Sequence, residues 1–244
     1  MDINYFRNIQ NAKDYRHEKD IKVDETRERF ANDFDTSINV VYTATRNDNP
    51  QDFIIVPKGN KSNEFAIYTR PDEEINIGDI IHWNRLHWIV TDKAFDNDIY
   101  NIGTIVRCNR TIKWQNPKTH EIIERWCLAE KPYTSNIRYD DVISLSEREY
   151  KIIIPYDDET KIVDLDKRFM LDVIDGKPRT YTLTCVDLTT NKYQDIDGGF
   201  IIWNLVQDQA SQPTDNLELG ICNYIDLNTN INEDETDNDD GGWV

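Results

Sequence analysis

The chain of 244 residues lacks the short motifs that mark most enzyme families. Its nine glycines form no phosphate-binding loop, and neither a Gly-x-Ser-x-Gly elbow nor a His-Glu-x-x-His pair occurs. The four histidines and the many acidic residues show no spacing typical of a metal site or of a catalytic carboxylate pair. We therefore predict that the protein is not an enzyme and uses neither a cofactor nor a metal ion.

Cysteine and long apolar runs are also scarce. The four cysteines stand far apart without a Cys-x-x-Cys pair, which favours buried thiols in a reducing compartment over a disulfide framework. No apolar run approaches the length that crosses a bilayer, and residues 1–6 lack the regions of a signal peptide. We expect a soluble chain that is made in the cytoplasm and has no membrane partner.

Acidic residues outnumber basic residues. The chain has 28 basic and 46 acidic side chains and a net charge of −18 at pH 7. Residues 226–244 carry seven acidic side chains and no basic one. This balance offers no basic surface for holding nucleic acid, but an acidic surface would let a DNA duplex pass without sticking.

Tryptophan is plentiful, and much of it lies in short strand-like runs. Residues 78–92 read Gly-Asp-Ile-Ile-His-Trp-Asn-Arg-Leu-His-Trp-Ile-Val-Thr-Asp, and a turn at Asn84-Arg85 folds them into a hairpin whose apolar side chains share one face. The predicted cross-strand pairs are Trp83 with Leu86, His82 with His87, and Ile81 with Trp88. The predicted inward face consists of Ile81, Trp83, Leu86, Trp88 and Val90.

The alternation of strand-like runs and turn residues predicts an all-β protein in five segments. Asp24 is the expected N-cap of a short helix over residues 24–34, and Asp175-Gly176 is the clearest turn of the second half. The segments are an N-terminal arm with the short helix (1–37), a small antiparallel β-barrel (38–135), a linker (136–149), an immunoglobulin-like β-sandwich of about seven strands (150–225), and an acidic tail (226–244).

Apolar side chains on the arms are the candidate assembly contacts. Phe30 and Phe34, four residues apart, give the short helix one apolar face, and Trp243 follows two glycines in a polar tail with no core to join. His82 and His87 form a cross-strand pair with no third ligand for a metal. The predicted contact residues are Tyr5, Phe6, Ile9, Phe30, Phe34 and Trp243.

A series of short blocks within residues 78–126 has a familiar spacing. The hairpin is followed by Gly-x-Ile-x-Arg-Cys-Asn-x-x-Ile-Lys-Trp-Gln-Asn at 103–116 and by Ile-Ile-Glu-Arg-Trp at 122–126. Over residues 25–135 the chain resembles the head-closure (stopper) or head–tail connector proteins of tailed phages that infect Gram-positive bacteria. The second sandwich and the acidic tail depart from that family's pattern.

The resemblance implies a structural virion protein with no active site. Copies of the chain would form a homo-oligomeric ring in the neck, joining the portal and adaptor to the tail proteins. Packaged DNA would pass through the lumen without sequence-specific binding, and the ring would help to retain it. The protein would be made in the host cytoplasm and end in the virion.

Two alternatives stay open. A tail-side structural protein, such as a tail terminator or a distal tail component, would share the fold and the assembly role. A carbohydrate-binding surface module would instead act as a monomer and expose Trp126 or Trp114 as a stacking platform. The alternation of residues 122–126 does not decide which way Trp126 faces.

Overall fold

The structure, a computed structural model, describes residues 18–94, 98–131, 149–192, 198–208 and 212–226. Within these ranges the chain forms one α-helix and fourteen β-strands in two antiparallel sheets, which confirms the predicted all-β class. The elements are α1 Glu18–Phe34, β1 Val40–Val41, β2 Thr45–Arg46, β3 Asn49–Pro50, β4 Phe53–Pro57, β5 Glu64–Tyr68, β6 Ile80–Trp83, β7 Leu86–Lys93, β8 Ile102–Arg107, β9 Arg110–Gln115, β10 Ile122–Glu130, β11 Glu149–Pro155, β12 Arg168–Ile174, β13 Lys177–Asp187 and β14 Phe200–Gln207.

The first sheet contains β1 to β8 in the order β1-β4-β5-β8-β7-β6-β2-β3 and curls around an apolar core. Alternate side chains of its strands point into that core, as the period of two requires. Phe65 stands edge-on to Trp83 and to Trp88, with ring centroids 5.2 Å apart in both pairs. The buried members of the core are Ala44, Phe53, Ile55, Ile67, Ile75, Ile81, Trp88, Val90 and Ile105.

The β6–β7 hairpin has the predicted register. Asn84 and Arg85 both have positive φ, 52° and 60°, which is the backbone of the two-residue turn whose twist matches that of paired strands. The observed pairs are Trp83 with Leu86, His82 with His87, and Ile81 with Trp88. The predicted inward face is also confirmed, because Ile81, Trp88 and Val90 are buried in the core while Trp83 and Leu86 pack against it.

Helix α1 is longer than predicted and docks on the first sheet. It covers Glu18–Phe34, so Asp24 lies inside the helix and is not its N-cap. Three of the six helical residues before Asp24 are good helix formers (Glu18, Lys19 and Lys22), and they extend the helix towards the N-terminus. Phe34 is buried and lies under the Arg70 guanidinium, 4.5 Å from its ring centroid.

The second sheet contains β9 to β14 in the order β12-β13-β14-β11-β10-β9 and forms a nearly closed barrel. Its edge strands approach each other, with Arg110 of β9 3.2 Å from Asp172 of β12. The predicted turn at Asp175-Gly176 is confirmed, since it joins β12 to β13 with Ile174 opposite Lys177. The fully buried barrel side chains include Trp203, Phe169, Leu183, Ile112, Ile152, Ile154, Ile201 and Leu205.

The sheets divide earlier in the chain than residue 135, the predicted end of the first unit. Strands β9 and β10 were expected in the first barrel, but β10 pairs with β11, placing Ala129 opposite Ile152. The predicted boundary is corrected to the turn between Arg107 and Arg110, the end of β8 and the start of β9. The reason is burial: Ile112, Trp114 and Ile123 contribute to the barrel core of the second sheet.

The second unit is one curled sheet instead of a seven-stranded immunoglobulin-like sandwich. Two of the seven strands that the alternation predicts for this unit, at 161–165 and 217–224, are turns and irregular backbone, apart from one isolated bridge between Asn216 and Ile221. Just before each of these segments, a side-chain carboxylate accepts hydrogen bonds from nearby backbone amides. Asp157 accepts from the amides of Glu159 and Thr160, and Asp215 accepts from the Gln212 amide. Such local bonds compete with strand pairing.

Candidate ligand cleft at the junction of the two sheets

The two sheets meet through a small apolar cluster and a close backbone contact. Gly78 of the first sheet has φ +88° and lies against Gly199, and the Gly199 amide donates to the Ile77 carbonyl at 2.5 Å. Only glycine leaves space for two backbones to approach in this way. The buried cluster consists of Ile77, Ile89, Cys108, Leu128, Ile153 and Phe200.

A cleft of about 510 Å³ opens beside this contact, and we refer to it as the junction cleft. Asn47, Asp48 and His87 line it from the first sheet. The second sheet and its loops contribute further lining residues, namely Glu124, Arg125, Trp126, Tyr156 and Asp157. Its volume lies within the range of roughly 300–1,000 Å³ that is usual for small-molecule sites.

The buried carboxylate of Asp79 fixes the first-sheet wall. Its Oδ2 accepts hydrogen bonds from Arg46 Nε at 2.6 Å and from the Asn76 amide at 2.7 Å. Its Oδ1 accepts from Asn47 Nδ2 at 2.7 Å. Since Asn47 and Asp48 both have positive φ, these bonds hold a tight turn and present Asp48 at the mouth of the cleft.

Three neighbouring rings connect the two sheets. The His82 and His87 ring centroids lie 4.7 Å apart, and His87 stacks on Trp126 of β10 at 4.1 Å with an interplanar angle of 11°. Burial, with a smaller effect of neighbouring His82, lowers the pKa of His87, so this imidazole is neutral at pH 7. Trp126 is nevertheless 37% exposed, so part of its ring faces solvent at the cleft.

An ion-pair group fixes the second-sheet wall. Arg125 donates from Nε to Asp157 at 2.8 Å and from Nη2 to Glu159. Burial alone would raise the pKa of Asp157, but hydrogen bonds from Arg125 and Thr160 outweigh that effect and hold the pKa below its ordinary value. The wall therefore presents a guanidinium beside an ionised carboxylate.

The structure places only two of the predicted contact residues. Phe34 is buried, and half-buried Phe30 stacks on Tyr100 at 4.0 Å, so both dock α1 on its own sheet instead of offering a free surface. Tyr5, Phe6, Ile9 and Trp243 lie outside the described residues.

Sequence reasoning did not find the cleft itself. It noted His87 and Trp126 separately, but they lie on different sheets and meet only when the barrel packs on the first sheet. The available signal was the exposed side of β10, where Ile122, Glu124 and Trp126 alternate. Asp79 and Asp157 gave no signal, because the arginines that pair with them lie more than thirty residues away in the chain.

Neither metal clusters nor membrane spans were found in the part of the chain that the structure describes. No group of three or more histidine, cysteine or acidic side chains there is arranged to hold a metal ion. No helix among these residues has the length and apolar character needed to span a membrane.

Comparisons with known proteins identify no family. No family model matches the chain, and no curated protein matches it either. A solved structure described as "MrkH, A novel c-di-GMP dependence transcription regulatory factor" overlaps 79% of this chain and 86% of its own, at 12% identity and a TM-score of 0.23. A TM-score that low supports no argument about fold or function.

Proposed function

We propose that this protein is a head-closure (stopper) connector in the neck of a tailed phage. Copies of the chain would form a closed ring that joins the portal and adaptor to the tail and helps to retain packaged DNA. The resemblance of residues 78–126 to such connectors motivates the proposal. The observation that carries it is the pair of exposed apolar edges described next.

Each sheet has an edge strand with exposed apolar side chains beside it. In the first sheet, Ile38 and Tyr42 flank edge strand β1 and are 98% and 57% exposed. In the second sheet, Val173 and Ile174 end edge strand β12 and are 42% and 47% exposed. A subunit of a closed ring needs two different surfaces that fit each other, and exposed apolar side chains are typical of such contact surfaces.

The charge of the chain fits the passage of DNA through such a ring. A net charge of −18 gives repulsion between the protein surface and phosphate groups. Repulsion keeps a duplex in the lumen from binding to the wall, so the genome can slide during ejection. Retention would then depend on closure of the ring and not on affinity for DNA.

The proposal predicts that the two edges assemble the ring. Purified protein should form closed rings as its concentration rises, measured by mass photometry and negative-stain microscopy. Tyr42→Asp and Val173→Asp should each leave folded monomers, because a charge on either edge opposes burial. Ile162→Asp is the matched control, since Ile162 is 44% exposed but lies on neither edge strand, and it should still form rings. A wild-type chain that stays monomeric at every concentration would contradict the proposal.

A further inference from the structure

We propose that the junction cleft binds a neutral saccharide, with Trp126 as the stacking platform. This inference is independent of the neck function, because it rests on the cleft alone. It adds a ligand site to a chain whose proposed role is otherwise structural.

The aromatic part of the cleft suits the face of a sugar ring. A pyranose has an apolar face of C–H groups, and an indole ring offers a flat apolar surface of matching size. The Trp126 ring is backed by the neutral His87 imidazole at 4.1 Å, so it is held in place before a ligand arrives. A preorganised ring costs less entropy on binding than a mobile one.

The polar part of the cleft suits hydroxyl groups. Arg125 has only donors, whereas the carboxylates of Asp157, Glu124 and Asp48 have only acceptors, and all four side chains line the same cleft. A hydroxyl donates one hydrogen bond and accepts others, so a sugar can satisfy both kinds of group at once. A purely apolar ligand would displace solvent from these charged groups and offer them no hydrogen bond in return.

The charge balance of the cleft argues against a cationic ligand. Three of its four lining carboxylates already face a cation of this chain: Asp79 lies 2.6 Å from Arg46, Asp157 lies 2.8 Å from Arg125, and Glu124 lies 3.2 Å from Lys113. The Arg125 guanidinium inside the cleft would also repel an incoming lysine or arginine. A neutral, hydroxyl-rich ligand meets neither obstacle.

The test is titration of the full chain with neutral oligosaccharides, followed by saturation-transfer NMR and by tryptophan fluorescence. The probes are soluble tetrasaccharides of glucose, galactose and N-acetylglucosamine, and a lysine–arginine peptide tests the cationic alternative. At least one saccharide should bind, and Trp126→Ala should weaken it by about tenfold or more through loss of the stacked ring.

Matched variants separate binding from folding. Glu124→Gln and Asp48→Asn keep the shape of the wall and should weaken saccharide binding, while Trp126→Phe should retain most of it. Ile162→Ala and Glu218→Gln lie outside the cleft and should bind as the wild type does. No binding by any saccharide, binding that Trp126→Ala and Glu124→Gln leave unchanged, or binding of the basic peptide alone would overturn the proposal. None of these outcomes bears on ring assembly.

Discussion

At the scale of single residues, the junction of the two sheets depends on Gly78, because a glycine has no Cβ. A methyl group on Gly78 would lie 1.8 Å from the Gly199 carbonyl oxygen and 2.6 Å from its carbonyl carbon. Both are backbone atoms, so neither can move aside by rotating a side chain. The φ of +88° adds strain for any residue with a Cβ.

We therefore expect Gly78→Ala to lower the free energy of unfolding by about 3 kcal/mol or more, since overpacking and backbone strain act together. Gly59→Ala is the control: Gly59 also has positive φ, +64°, but nothing lies within 4 Å of an added methyl group. Its loss should be about 1 kcal/mol, the cost of the left-handed conformation alone. Urea unfolding measures both values, and equal losses would show that the Gly78–Gly199 contact does not constrain the fold.

The importance of Gly78 could not be predicted from the sequence. It precedes a strand, where a glycine is unremarkable turn material, and its partner Gly199 lies in the second half of the chain. The turn residues Asn84-Arg85 and Asp175-Gly176 were predictable because both strands of each hairpin are local. A contact between two glycines far apart in the chain produces no periodic pattern in the sequence.

Among the elements, the segment 212–226 is held on the barrel by side chains of both edge strands. Gln115 of β9 donates to the Ile225 carbonyl at 3.1 Å and accepts from its amide at 2.9 Å. Buried Arg168 of β12 donates to Asp215 at 2.8 and 3.1 Å, and also to Asp208 at 2.6 Å. The segment therefore bridges the two edges of the sheet that do not pair with each other.

Arg168→Ala should lower the free energy of unfolding by about 3–5 kcal/mol, because it leaves the buried carboxylate of Asp215 without its cation. Arg110→Ala is the control, since the Arg110–Asp172 pair is nearly half exposed on both sides and should contribute less than about 1 kcal/mol. Chemical denaturation of the two variants gives the comparison.

Thiol labelling gives a local readout of the same substitution. Cys222 is buried in this segment, and burial raises the pKa of its thiol to about 12, while Cys185 is exposed. Arg168→Ala should speed the modification of Cys222 and leave the rate at Cys185 unchanged, as mass spectrometry of the labelled peptides would show. Unchanged protection of Cys222 would mean that Arg168 does not hold the segment.

The elements themselves were partly predictable. Hairpin registers followed from turn chemistry and from the period of two, as the β6–β7 pairs show. The assignment of β10 to its sheet did not follow, because its two faces differ little in composition and eighteen residues separate it from its partner β11. Apolar runs at 161–165 and 217–224 look like strands, but neighbouring Asp157 and Asp215 bind the backbone and keep it irregular.

In the whole molecule, two curled sheets share a small apolar junction and carry separate exposed edges. The junction cluster buries few side chains compared with either sheet core, so most of the stabilising burial lies within the sheets. The net charge of −18 and the exposed apolar side chains at these edges are the features on which the proposed assembly role depends.

Position in the particle is what separates a neck connector from a tail terminator or a distal tail component. Electron cryo-microscopy of virions labelled with an antibody fragment against the folded chain measures that position directly. A neck connector should be labelled in one closed ring between the portal and the tail. Label along the tail, at its distal end or on the capsid, or particles that lack the chain, would contradict the proposed neck function.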